Sequence, residues 1–403
     1  MTVPAPRAFA SRNLALATIA FTICFTSWGL VTPLAKHLQT PQGWSDTQVL
    51  LLSAVPVLCG SLLRMPAGWL ADRYGGRLIF TLTMLLSIVP AVFLGYVTSY
   101  YPLLIVGFFM GAAGSAFAVG VPFVAGWYDK SRQGFAIGVY GIGTIGPAIA
   151  LLVVPRTLNN YGQAYLGWGM AAIMLAGAAM VWLLARDAPN PPAPTRYADV
   201  ARSGWRLYRL ALLYFVTFGG FVAMFTFLQK LLTKWFGLSD VDAAARAAGF
   251  AALAVAARPV GGWLADRYGA AIVLTAAFAG VAVDGAVLAA VATHPTMVTV
   301  SIACLTMGAF LGVGSGAIFK LVPNEFPENP GAATGIVGAI GGIGGFFPPV
   351  VMGLVKGWTG SFALGFVGLL LFCIVCFGVA LSLLTRRNRS DDPSIRPTPV
   401  HGS

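Results

Sequence analysis

The chain has 403 residues, of which 58% are hydrophobic and only 9% charged, with a net charge of +12 and a mean hydropathy of +0.80. This composition excludes a water-soluble enzyme and makes a lipid bilayer the solvent. The basic excess does not signal nucleic acid, because Lys and Arg lie in short breaks between apolar stretches rather than on one polar face.

A bilayer core about 30 Å thick takes about 20 apolar residues per helix, and twelve such stretches follow one another, so the expected fold is an all-α membrane protein of twelve transmembrane helices in two six-helix halves. The first span, 14–36, lacks the small-residue cleavage site of a secretory signal, and eleven more follow it. Span 47–71 carries Arg64 and runs into a loop with Asp72 and Arg73. Spans 78–97 and 101–127 come next, the latter with Phe117. Span 134–158 is rich in glycine, with Gly138, Gly141, Gly143 and Gly146 ahead of Pro147, and span 163–185 closes the first half. Residues 186–205 hold Ala188-Pro189-Asn190-Pro191-Pro192-Ala193-Pro194, which cannot cross a membrane and reads as an extended cytoplasmic linker.

The second half repeats the plan. Span 206–232 carries Tyr214 and Phe218, span 241–265 carries Arg258, and spans 270–291 and 296–320 follow. Span 331–356 holds Gly335, Gly338, Gly341, Gly342, Gly344 and Gly345 before Pro348 and Pro349, and span 361–384 is the last. The implied division is 1–185 and 206–385 for the halves, with 386–403 as a cytoplasmic tail. All five cysteines fall inside apolar spans, where a thiol behaves as a small hydrophobe, so no disulfide framework, metal site or cofactor is expected. Gly141-Ile142-Gly143-Thr144-Ile145-Gly146 fits a dinucleotide-binding pattern, but no strand precedes it.

Gly68-Trp69-Leu70-Ala71-Asp72-Arg73-Tyr74-Gly75 recurs unchanged at Gly262 to Gly269, an offset of 194 that also carries Arg64 onto Arg258. An identity of this length at equivalent points of two halves marks a duplication. Six basic residues (Lys36, Arg156, Lys230, Lys234, Arg246 and Lys356) fall on one side, two lie within spans, and the remaining 17 of the 25 fall on the other. By the positive-inside rule both termini are cytoplasmic. The repeated loop resembles the signature of the major facilitator superfamily, whose halves are parallel repeats around a midplane site. That resemblance implies a cytoplasmic gate, with Asp72 and Asp266 at the inner ends of the second and eighth spans beside Arg73 and Arg267, where charge pairs between the halves form in one state and break in the other.

An arginine at mid-bilayer costs about 2.5–3.5 kcal/mol on insertion scales and cannot shed its proton. Arg64 and Arg258 each stand eight residues, roughly 12 Å of helix, from the loop aspartate, near the level of a central cavity. Only one carboxylate, Asp284, lies well inside a span, in the ninth, where it serves poorly as a counter-ion. A small anion is then the simplest neutralising partner.

The Gly338 to Gly345 segment is similar to the second signature of the nitrate/nitrite porter family, and Gly141 to Gly146 to the first, with Thr144 where that family usually has Asn. Arg64 and Arg258 match that family's substrate-binding arginines, and Phe117, Tyr214 and Phe218 its flanking aromatic positions. The resemblance implies a transporter of nitrate or nitrite in a bacterial-type inner membrane, working by alternating access, without a cofactor and expected to act as a monomer. His37, His294 and His401 lie in loops or the tail, which favours exchange of anions, while uptake with protons stays open. A carboxylate exchanger of formate or oxalate type, or a membrane anion sensor, are the rival readings.

Overall fold

The computed structural model describes residues 7–189, 197–346 and 363–390. Outside them lie the proline-rich middle of the linker with Arg196, the second part of span 331–356 with Pro348, Pro349 and Lys356, the start of span 361–384, and the tail with Arg396 and His401.

Among the described residues eleven helices are long and apolar enough to cross a membrane, and a twelfth is a shorter apolar helix. In chain order they are α1 (Arg7–Gly29, continued by Val31–Gln42), α2 (Asp46–Tyr74), α3 (Gly76–Leu94), α4 (Tyr100–Ala125), α5 (Gln133–Asn160) and α6 (Gln163–Leu184). There follow α7 (Trp205–Phe236), α8 (Asp240–Tyr268), α9 (Ala270–Val291), α10 (Met297–Glu325), α11 (Pro330–Ile343) and α12 (Ala363–Ser390). Each matches one expected span, but several run further. α10 reaches five residues beyond its expected end because Lys320 and Glu325 find partners there, Asp266 at 2.6 Å and Arg209 at 2.7 Å. The linker is not extended throughout, since Tyr197–Ala201 forms a short helix.

The duplication is deeper than the repeated octapeptide. Gly43 and Gly237, 194 residues apart, both end a helix in the left-handed region (φ 65° and 63°), a conformation that glycine adopts without strain. Ser45 and Ser239 then cap α2 and α8, accepting from the amides of Gln48 and Asp242. Gly75 and Gly269 turn the chain into α3 and α9 with φ 91° and 94°.

Helices α1, α5 and α6 pack together, as do α3 with α6, α8 with α10, and α9 with α12. The first six helices meet the last six through α2 with α11 and α5 with α8, flanked by α4 with α11 and α5 with α10. The first two pairs rest on glycine. A methyl group at Gly134, Gly138 or Gly141 would fall 2.6, 2.6 and 3.1 Å from the Gly262 oxygen, the Arg258 oxygen and the Arg258 Cδ. At Gly331, Gly335 and Gly338 it would fall 2.3, 2.5 and 3.3 Å from the Gly68 oxygen, the Arg64 oxygen and the Arg64 Cδ. The two interfaces are thus one design used twice, with the backbones of α2 and α8 pressed against glycine stripes of α11 and α5.

A methyl group at these places must displace backbone, which costs about 1–3 kcal/mol. Gly138→Ala and Gly335→Ala are each expected to lower the melting temperature of the purified protein, read by differential scanning fluorimetry. Gly169→Ala, at a position with open space, is expected to leave it unchanged or raise it.

Candidate functional site

Between the two glycine-packed pairs the chain buries both of its intramembrane arginines, each 3% exposed. Arg64 on α2 donates from Nε to the Gly114 oxygen of α4 at 3.2 Å and from Nη1 to the Gly338 oxygen of α11 at 2.6 Å. The first acceptor lies in a 3₁₀ turn, Gly111–Ser115. Arg258 on α8 has a buried Nε with no hydrogen-bond partner.

The two guanidinium groups share one aromatic neighbour. The Phe218 ring centroid lies 5.2 Å from the Arg64 Cζ and 5.6 Å from the Arg258 Cζ. Arg64 also lies 5.5 Å from Phe117, and Arg258 5.5 Å from Phe221. Phe218 is placed by a π-helical turn, Phe215–Gly219, in α7. Such turns insert a residue and re-aim the face of a helix. The turn is possible where it is because Gly219 meets Gly344 of α11, so closely that a methyl group at Gly219 would fall 2.4 Å from the Gly344 carbonyl carbon.

The rings of Tyr214, Phe218 and Phe117 lie nearly parallel, Tyr214 to Phe218 at 5.1 Å and 11°, and Phe117 to Tyr214 at 5.8 Å and 7°. Phe319 of α10 closes the cluster edge-on, 4.7 Å from Phe117 and 4.5 Å from Tyr214. The buried Tyr214 hydroxyl faces the Arg258 guanidinium. A cavity of about 120 Å³ reaches Phe218 and Phe221 from the side of Thr32, Ser53 and Gln229, the halves of the helices remote from Asp72. The arginines lie behind those rings.

Thr144 lines the cavity, yet its hydroxyl donates to the Gly141 oxygen of its own helix at 2.8 Å. Of the glycines singled out in the sequence, Gly141 and Gly338 meet the arginine stems, while Gly143 and Gly146 meet Phe21 and Phe25 on α1. Gly341 meets the Tyr214 ring, Gly342 meets Ser61 and Arg64, Gly344 meets Phe215, and Gly345 meets Val222.

Neither buried arginine forms an ion pair among the described residues. Asp284 is occupied elsewhere, accepting from Thr306 of α10 at 2.8 Å. The charges at the ends of α2 and α8 make no charge pair between the halves among the described residues. Asp72 accepts from the amides of Gly331 and Ala332 at 2.9 and 2.8 Å, and Asp266 from those of Gly134 and Phe135 at 3.1 and 2.8 Å. These are the first, otherwise unbonded N–H groups of α11 and α5, where the helix dipole also favours an anion. Arg73 and Arg267 instead lie on their own helices' aromatic rings, Trp69 with Tyr74, and Trp263 with Tyr268.

Gly134, Gly331, Lys320, Phe221 and Phe319 were not singled out in the sequence. For the two glycines a signal exists: Gly134, Gly138 and Gly141 recur at an offset of 197 as Gly331, Gly335 and Gly338.

The chain matches the model of the Major Facilitator Superfamily over residues 17–349 and again over 210–400. It is 39% identical over 350 residues to the probable nitrate/nitrite transporter NarK2 of Mycobacterium tuberculosis, covering 85% of this chain and 88% of that one. It is 36% identical to the probable nitrate transporter NarT of Staphylococcus haemolyticus, over 91% and 94% of the two chains. Among solved structures it is similar to the proton:xylose symporter XylE, with a TM-score of 0.77 at 13% identity over 92% and 95% of the two chains.

The two carboxylate contacts are not equal, since Asp266 also holds the largely buried Lys320. Removing one partner of such a pair strands the other charge, at about 3–5 kcal/mol. Asp266→Asn is therefore expected to lower the melting temperature more than Asp72→Asn, and Lys320→Met added to Asp266→Asn to restore part of the loss.

Proposed function

Since the chain belongs to the Major Facilitator Superfamily, and within it to the nitrate/nitrite porter family, we propose that it carries nitrate or nitrite across a membrane by alternating access, holding the anion between Arg64 and Arg258. The observation that carries this reading is the pair of buried guanidinium groups on one Phe218 ring with no carboxylate partner among the described residues. Two like charges that cannot deprotonate repel one another in a medium of low dielectric, and a bound anion neutralises both. A trigonal oxyanion suits the place, because forked guanidinium groups offer N–H donors in a plane and the poorly hydrated faces of the anion rest against Phe218 and Phe117. Tyr214 adds a hydroxyl beside the Arg258 guanidinium.

Each half, 1–185 and 206–385, moves as a body around this site. The contacts of Asp72 with α11 and Asp266 with α5 join the halves at one end and serve as the gate, with Arg73 and Arg267 flanking it. The distribution of Lys and Arg puts that end, and both termini, in the cytoplasm. The cavity that reaches Phe218 is then the outward path. Opening the other way breaks four charge-assisted hydrogen bonds, each worth about 1.5–3 kcal/mol. Without an anion the arginine pair is left bare, so return of the empty carrier is disfavoured. That favours nitrate/nitrite exchange over uptake with protons.

The test is nitrate uptake into proteoliposomes loaded with nitrite, or empty with an inward proton gradient. Uptake that requires internal nitrite is expected, and dependence on the proton gradient alone would replace exchange with symport. Arg64→Lys and Arg258→Lys lose the fork geometry and are each expected to lower kcat/KM at least about a hundredfold, the cost of two charge-assisted hydrogen bonds. Formate or oxalate flux without nitrate or nitrite flux would overturn the substrate.

A further inference from the structure

We infer that the Ser61 hydroxyl is a further donor to the bound anion, one that belongs to the Arg64 side of the site alone. This rests on the reading of the site as an oxyanion site. Ser61 precedes Arg64 by three residues on α2 and so shares its face. It is 1% exposed, and its Oγ has no hydrogen-bond partner.

A serine or threonine inside a membrane helix ordinarily satisfies itself by donating to the carbonyl four residues back. Ser53 does so to Val49 on the same helix at 2.9 Å, Thr22 to Thr18 at 2.8 Å, and Ser87 to Thr83 at 2.8 Å. Ser61 does not, and its proton is free for another acceptor.

Gly342 of α11 shows that this hydroxyl and the Arg64 guanidinium are neighbours. A methyl group there would lie 2.2 Å from the Ser61 Oγ and 2.7 Å from the Arg64 Nη1, so both groups pack directly against the Gly342 backbone. Nη1 gives one N–H to the Gly338 oxygen and keeps a second. A charged and a neutral donor side by side can together meet an oxygen of an anion held at Arg64.

The duplicated framework does not supply this hydroxyl. At the offset of 194 Ser61 corresponds to Val255, which is apolar and buried, and at the offset of 197 Gly342 corresponds to Ile145. The Arg258 side therefore has no serine at the equivalent place, its neighbouring hydroxyl is that of Tyr214, and Thr144 has given its proton to Gly141. Ser61 supplies the neutral donor that Thr144 does not. Nitrate has three oxygens and nitrite two, so a donor added to the guanidinium pair and the Tyr214 hydroxyl finds an acceptor more readily in nitrate.

The experiment measures melting temperature of the purified full-length protein against nitrate and, separately, nitrite, with KM for each from proteoliposomes, for wild type, Ser61→Ala and Ser61→Cys. Ser61→Ala is expected to weaken nitrate about tenfold, the loss of one hydrogen bond to a charged ligand. Nitrite is expected to weaken less, and Ser61→Cys to fall between. The ligand-free melting temperature of Ser61→Ala is expected to stay at or above wild type, because the hydroxyl bonds nothing in the protein. Unchanged nitrate affinity in Ser61→Ala, or a lowered ligand-free melting temperature with affinity intact, overturns the inference while leaving the anion reading standing. If Ser61→Ala does not fold, Ser61→Cys with unchanged nitrate affinity overturns it equally. Absence of any response of wild type to both anions overturns the anion reading, and this inference with it.

Discussion

Two arginines buried in an apolar interior with no carboxylate beside them are the constraint around which the rest of the molecule is arranged. Insertion scales put the cost of each at about 2.5–3.5 kcal/mol, and deprotonation offers no relief. Arg64 offsets part of it with two backbone carbonyls and two aromatic faces, and Arg258 with two aromatic faces and an Nε left unbonded. The residual charge is what a small anion meets. Every irregular piece of helix nearby serves the same end: the 3₁₀ turn of α4 brings the Gly114 carbonyl to Arg64, and the π turn of α7 sets Phe218 between the two guanidinium groups.

The arginines are held by interfaces that the protein must also be able to open. Helices α2 and α8 carry the charges and lie on glycine stripes of α11 and α5. Glycine lets backbones touch without interlocking side chains, so the contact is close but smooth and suits sliding or rocking. The aspartates at the ends of α2 and α8 close the same interfaces by accepting from helix amides. Such contacts are strong, local and wholly lost on separation, the behaviour a two-state element requires. One chain of residues on each of α2 and α8, arginine, glycine, aspartate at four-residue intervals, thus runs from the buried guanidinium to the aspartate–amide contact at one end.

Against this symmetry the differences between the halves stand out. Lys320 joins Asp266 while Asp72 has no cation at hydrogen-bonding distance among the described residues, and Ser61 stands opposite Val255. A duplicated frame gives two equivalent positive groups, and unequal neighbours make one side of the anion differ from the other. Selectivity among small oxyanions needs such inequality, because charge alone does not count oxygens.

Composition, the apolar spans and the repeat at 194 were sufficient to establish a membrane protein of duplicated helices, and Arg64 with Arg258 followed because a charge at mid-bilayer is conspicuous in any sequence. The aromatic positions Tyr214, Phe218 and Phe117 were legible through family resemblance. Tertiary structure decided what each polar group touches. Asp72 meets an amide 259 residues away, and Arg64 a carbonyl 274 residues away. Every residue carries such backbone groups, so nothing in the letters marks the ones that are used. For the same reason the sequence suggested that aspartate and arginine pair across the halves, when the carboxylates take helix ends and the arginines take aromatic faces. Ser61 is one serine among many until α11 brings Gly342 against it, and only packing distinguishes a hydroxyl bonded to its own helix from one left free.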